Sequence, residues 1–213
     1  QNDLQSASDV SSAIYQAGYG SSSRVYEKSN ATLGMTPAQF RNKGHNIMIR
    51  FAITESALGY LLVAATEKGI CSIELADQVP LLQQNLQQRF SKADLEQDAE
   101  YLQPFLQQII DFIELPQAAL TLPLDIRGTA FQCQVWQALQ TIPLGETASY
   151  SEIAQKIGRP KAARAVAQAC ASNAIALAIP CHRVVRSDGT SGGYRWGVAR
   201  KQRLLAKERL IKS

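Results

Sequence analysis

Between residues 47 and 75 the chain repeats one pattern three times, and that repetition leaves few folds open. The runs Ile47-Met48-Ile49-Arg50-Phe51-Ala52-Ile53-Thr54, Gly59-Tyr60-Leu61-Leu62-Val63-Ala64-Ala65-Thr66 and Ile70-Cys71-Ser72-Ile73-Glu74-Leu75 read as strands rich in apolar and β-branched residues. Glu55-Ser56-Ala57 and Glu67-Lys68-Gly69 separate them, so neighbouring strands close as hairpins. A Gln-rich helix is expected over about 80–90 and another over about 99–114. Leu122-Pro123-Leu124-Asp125-Ile126 is a candidate edge strand, the place in a sheet where proline is tolerated. Residues 46–126 therefore form one β-rich unit with helices. With 4 basic and 11 acidic side chains it reads as scaffold and a poor surface for nucleic acid.

The second unit, residues 127–213, turns helical. Thr129 caps a helix through Leu139 that places Phe131, Val135, Trp136 and Leu139 on one face. After Ile142-Pro143-Leu144-Gly145 the chain turns, and Ser149-Tyr150-Ser151-Glu152 opens a helix to Ile157. Gly158-Arg159-Pro160 breaks it, and Lys161 to about Ala171 forms an alanine-rich helix. Two short helices about a glycine-containing turn have the spacing of a helix-turn-helix. Charge divides at the same boundary: residues 1–126 carry 8 basic and 14 acidic side chains, residues 127–213 carry 14 and 4. A basic half of this kind is a footprint for a polyanion, although basic faces are often merely solvated.

Residues 1–43 read as helical, with Val10, Ile14 and Ala17 in helical spacing, a break at Gly18-Tyr19-Gly20, a cap at Ser21-Ser22-Ser23 and a restart at Thr36-Pro37. Asn42-Lys43-Gly44-His45-Asn46 is the expected linker. No apolar run approaches the roughly 20 residues that span a bilayer, and Gln1-Asn2-Asp3-Leu4 does not open a secretory leader, so the expectation is a cytoplasmic protein with no membrane partner. Cys71, Cys133, Cys170 and Cys181 lack metal-ligand spacing and only His45 and His182 supply imidazoles, which argues against a zinc site or a disulfide framework.

Chemistry concentrates at Ile179-Pro180-Cys181-His182-Arg183-Val184-Val185. A thiolate is the nucleophilic form of cysteine, and nearby cations lower its pKa, so His182, Arg183 and Arg186 single out Cys181. Taken alone, such a cysteine is more often a small buried hydrophobe.

That string resembles the O6-alkylguanine-DNA alkyltransferase family when read with Tyr150, Lys161-Ala162-Ala163-Arg164-Ala165-Val166, Asn173, Gly189, Gly192-Gly193-Tyr194, Gly197 and Leu204-Leu205-Ala206-Lys207-Glu208. The likeness covers about 129–210 without a break in spacing and, less sharply, the β-rich unit. Residues 14–41, through Ala17-Gly18-Tyr19, Tyr26, Leu33-Gly34-Met35-Thr36-Pro37 and Phe40-Arg41, resemble the end of an AraC-type DNA-binding domain. Together they imply an α/β (α+β) chain in three parts. These are a truncated AraC-type segment (1–43), a ribonuclease-H-like sheet subdomain (46–126) and a winged-helix-like catalytic, DNA-binding subdomain (127–213). The expected whole is the C-terminal portion of a longer adaptive-response regulator that recognises promoter DNA when intact.

The resemblance implies repair of O6-methylguanine, and of O4-methylthymine, by irreversible transfer of the methyl group to Cys181, with no cofactor and no metal, by a monomer acting on double-stranded DNA. In it Glu208 orients His182, which draws the Cys181 proton through a water. Tyr150 donates to the base ring and Asn173 braces the active-site turn. Val184, Tyr194 and Arg195 wall the pocket, and Trp196 narrows its rim, so that methyl is favoured over benzyl. Arg164 fills the stack after base flipping, Ala162 and Ala163 let the helix enter the minor groove, and Lys161 and Arg159 hold phosphates. Two other readings stay open from the residues themselves. One is a cysteine hydrolase using Cys181 and His182; the other is a DNA-binding regulator with Cys181 inert.

Overall fold

The computed structural model describes residues 47–211. The helical reading of 1–43 and the linker at 42–46 lie outside the described residues. Three strands form the expected meander: β1 (Met48–Ser56), β2 (Gly59–Thr66) and β3 (Gly69–Ala76). β1 pairs antiparallel with β2 from Arg50↔Ala65 to Ser56↔Gly59, and β2 with β3 through a bulge at Ala64/Ala65. A fourth strand, β4 (Asp94–Gln97), pairs parallel with β1 and gives the order β3-β2-β1-β4. Sequence reading missed β4 because Asp94-Leu95-Glu96-Gln97 carries one apolar residue and mostly exposed side chains, so its partner and not its composition makes it a strand.

Helices cover both sheet faces. α1 (Val79–Arg89) lays Leu82 and Leu86 against Ile49, Leu62, Ala64 and Cys71. α2 (Ala99–Glu114) buries Leu102, Leu106, Ile109 and Ile113 at three- and four-residue spacing, and its N-cap Asp98 accepts from the Tyr101 amide. These meet Leu61, Val63 and Ile73 in a larger core that continues into the C-terminal unit. The expected edge strand at 122–126 shrinks to a single bridge, Leu124 to Ile70, because the chain crosses β3 at only that point.

In the C-terminal unit α3 (Ala130–Gln140) starts from a capping box between Thr129 and Gln132. Strand β5 (Ala148–Ser149) leads into α4 (Tyr150–Lys156), where Ser149 and Glu152 make a second box. α5 (Ala163–Ala171) begins two residues later than expected, because Arg159 to Ala162 form a turn closed by the Ala162 amide to the Arg159 carbonyl. A short 3-10 turn (Cys181–Arg183) precedes β6 (Val184–Val185), which pairs parallel with β5, and α6 (Val198–Leu210) closes the chain.

Although β3 is terminal in its sheet, all eight of its residues are buried. The segment after Asn173 covers it: the Ile73 amide donates to Ala174 O at 2.9 Å and the Ala176 amide to Ile73 O at 2.9 Å. The sheet edge therefore holds the strand-like approach to Cys181, joining the two units at the point where the chemistry is expected.

Candidate active site

Asn173 organises the approach. It is fully buried, its Oδ1 accepts from the Ile175 amide at 2.9 Å, and its Nδ2 reaches Ile179 O at 3.0 Å, Ile175 O at 3.2 Å and Cys181 Sγ at 3.3 Å. Within this loop Leu177 takes φ 67°, a left-handed conformation unusual for a residue with a branched side chain. The surrounding hydrogen bonds and its burial hold it there, and such strain concentrates at functional turns.

Pro180 then delivers Cys181 into the 3-10 turn. Its thiol is buried, and desolvation raises its pKa to about 11 against the lowering effects of the Asn173 hydrogen bond and of the Lys201 and Arg195 charges. This corrects the reading that His182, Arg183 and Arg186 supply the lowering charge. Burial holds His182 toward the neutral form, Arg183 is turned to Glu208, and Arg186 is exposed. Adjacent residues on a tight turn point in different directions, so sequence neighbours are not neighbours of the sulfur.

His182 Nε2 lies 2.8 Å from Glu208 Oε1, with both side chains fully buried. Arg183 clamps the same carboxylate twice, Nε to Oε2 at 2.9 Å and Nη2 to Oε1 at 3.0 Å, while its Nη1 donates to Ile142 O at 2.7 Å. Burial alone would raise Glu208, but its hydrogen bonds from His182 and Arg183 and the guanidinium charge beside it bring it to about 2. An ionised Glu208 can only accept, so Nε2 of His182 carries the proton and Nδ1 keeps its lone pair. Nδ1 is buried and has no hydrogen-bond partner among the described residues. A base is thus held next in chain to a thiol that must lose its proton.

Residues 184–196 supply the candidate wall residues. Tyr194 stacks edge-on at 6.4 Å to His182 and 5.1 Å to Trp196, and its hydroxyl is buried with no hydrogen-bond partner among the described residues. Trp196 itself is only 5% exposed and belongs to the core, so the indole backs Tyr194 and does not stand on the rim as expected. Tyr150 opens α4 half-buried. Its Oη would lie 3.2 Å from a side-chain carbon placed on Gly192, whose φ of 60° also suits glycine. Arg195 is exposed at its backbone yet reaches Glu74 of β3 at 3.4 Å.

Sequence reasoning missed Lys201. It is fully buried, its Nζ donates to Val184 O at 2.5 Å and Gly193 O at 3.5 Å, and burial lowers its pKa. Its signal was legible: Lys201, Leu204, Leu205 and Glu208 follow the i, i+3, i+4, i+7 spacing of one buried stripe, so α6 carries a charge at each end of its apolar face.

The candidate DNA-binding residues form a second group. Lys161 and Arg164 are exposed at the start of α5, Ala162 and Ala163 are half-buried beside them, and the Arg159 guanidinium lies 5.8 Å over the Phe131 ring. Cys181, His182, Glu208, Asn173, Val184, Tyr194 and Trp196 are drawn together, and the basic group lies at the other end of α5 from Asn173.

Two family models match: the ribonuclease-like domain of 6-O-methylguanine DNA methyltransferase over residues 49–126, and its DNA-binding domain over 130–210. The chain is 52% identical over 205 residues to the "Bifunctional transcriptional activator/DNA repair enzyme Ada" of Escherichia coli, a match covering 96% of this chain and 58% of that protein. It therefore spans little more than half the length of that relative. It is 38% identical to the "Methylated-DNA--protein-cysteine methyltransferase" of Mycolicibacterium paratuberculosis, over 76% of this chain and 93% of that one. Among solved structures, Mycobacterium tuberculosis OGT in complex with DNA superposes with TM-score 0.65 at 33% identity, covering 76% and 94% of the two chains.

Proposed function

This chain belongs to the 6-O-methylguanine DNA methyltransferase family, and on that premise we propose that it repairs O6-methylguanine in duplex DNA by moving the methyl group onto its own Cys181. The observation that carries this reading is the buried chain Arg183–Glu208–His182, whose last member directly follows the buried Cys181 in sequence and keeps an Nδ1 with no hydrogen-bond partner among the described residues. Because the carboxylate is ionised, His182 takes the proton at Nδ1, through one bridging water, as the sulfur attacks. The S–C bond forms, the O6–C bond breaks, and Tyr150 gives its hydroxyl proton to the base ring to offset the charge released there. The products are a thioether and guanine, so each molecule acts once.

The target carbon is inaccessible in a stacked duplex, so the nucleotide is flipped out. Arg164 occupies the gap, Ala162 and Ala163 allow close approach in the minor groove, and Lys161 and Arg159 hold phosphates. O4-methylthymine, which presents a similar alkoxy carbon, is a second substrate. The protein acts as a monomer in the cytoplasm. Promoter recognition belongs to a longer protein that includes an AraC-type domain.

Mass spectrometry after incubation with O6-methylguanine duplex is the test. One methyl on the Cys181 peptide per protein molecule, and none in Cys181→Ser, is expected. Repeated turnover with an unmodified Cys181 would instead indicate a hydrolase, and binding without modification a regulator.

A further inference from the structure

Glu74 is out of place in its strand. Every residue of β3 is buried, and Glu74 is 2% exposed, so a carboxylate sits where ionised groups survive only with partners. Two partners come from α1 on the same unit: Asn85 Nδ2 donates to Oε2 at 3.2 Å, and Arg89 Nε lies 3.8 Å from Oε1. The third crosses 121 residues of sequence, Arg195 Nη2 to Oε1 at 3.4 Å.

Arg195 lies between Tyr194 and Trp196, and its guanidinium is 5.9 Å over the Trp196 ring. The segment it belongs to holds Gly189, Gly192, Gly193 and Gly197, so its own backbone does little to fix it. Just beyond, Arg200 donates to Trp196 O at 2.9 Å, to Leu58 O between β1 and β2 at 2.6 Å, and to Asp77 after β3. The Tyr194–Trp196 segment is thus anchored on the acidic sheet at Arg195 and, through Arg200, at Trp196.

Resting on the alkyl-transfer reading above, we propose that Glu74 is a positioning residue for the alkyl pocket: through Arg195 it holds the Tyr194–Trp196 wall in place and so sets which alkyl groups Cys181 receives. The sheet unit then has a part in substrate selection as well as support. Releasing the tether lets the glycine-rich wall move outward, which admits bulky groups and misaligns small ones.

Single-turnover transfer from O6-methylguanine and O6-benzylguanine duplexes at saturating DNA, in the full chain, tests this. Glu74→Gln and Arg195→Ala should each raise the benzyl-to-methyl rate ratio by about tenfold, the scale of rate change that small misplacements of a reacting group produce. The double variant should change it no further than either single one. Asp98→Ala, which removes the α2 cap far from the wall, lowers melting temperature as a control and should keep the wild-type ratio. If Glu74→Gln folds poorly, Arg195→Ala carries the same comparison. An unchanged ratio in both variants overturns the proposal, as does an equal rise in Asp98→Ala. Failure of the wild type to methylate Cys181 overturns the alkyl-transfer reading and the positioning role with it, and it is visible before any variant is made.

Discussion

At the scale of residues, the decisive feature is that one carboxylate serves two partners. Glu208 accepts from His182 and Arg183, and its folded pKa of about 2 lies below the ordinary 4.5. A depressed carboxylate contributes stability that is fully present above 4.5 and is lost as pH falls from there toward 2. Glu208→Gln should remove that acid-dependent part and leave Arg183 buried without its counter-charge, a loss of about 3–5 kcal/mol at neutral pH. Urea unfolding followed from pH 7 to 2 checks it: the gap between wild type and variant should close at the acid end, and methyl transfer should fall as well. Trp196 makes a different kind of contribution. Because its indole supports Tyr194 from the core, Trp196→Gly should open the pocket while costing about 3–5 kcal/mol of packing. Inactivation by free O6-benzylguanine should become faster in the variant, with melting temperature measured alongside; equal inactivation of both proteins would refute the size argument.

At the scale of elements, short motifs read from sequence behaved as their local chemistry requires. Thr129 and Ser149 both close capping boxes, since an N-cap hydroxyl and a Gln or Glu three residues on need no distant partner. The start of α5 moved because Pro160 sets a turn whose closing bond, Ala162 to Arg159, excludes Lys161 from the helix. That shift brings Arg164 into the first turn of α5, exposed. Arg164→Ala should therefore slow repair of duplex substrate by about tenfold or more, while transfer from the same base in a single-stranded oligonucleotide stays near wild type, because only the duplex has a stack to fill. Rates on the two substrates under single-turnover conditions distinguish this from a general loss of binding.

At the scale of the whole molecule, the charge division and the two-unit fold act together. The excess of basic residues lies in residues 127–213, so affinity for undamaged duplex should fall steeply with salt, and Lys161→Ala should reduce the slope of log K against log salt by about one. Fluorescence anisotropy across a salt series measures both. The sequence by itself determined the meander, the helices, the capped turns and the nucleophile's candidacy, because periodicity, caps and turns depend on residues within a few positions of each other. It also pointed, through resemblance, to Asn173, His182 and Glu208; in the structure Asn173 Nδ2 lies 3.3 Å from Cys181 Sγ and His182 Nε2 lies 2.8 Å from Glu208 Oε1. Only the tertiary structure decided the rest. β4 exists through its pairing with β1, Arg183 faces Glu208 and not the thiol, Lys201 ties Val184 to Gly193 through their carbonyls, and Glu74 reaches Arg195 across two units. The physical reason is common to all four: a buried polar or charged group is set by the partner that folding brings to it, and that partner lies too far along the chain for any local pattern to show.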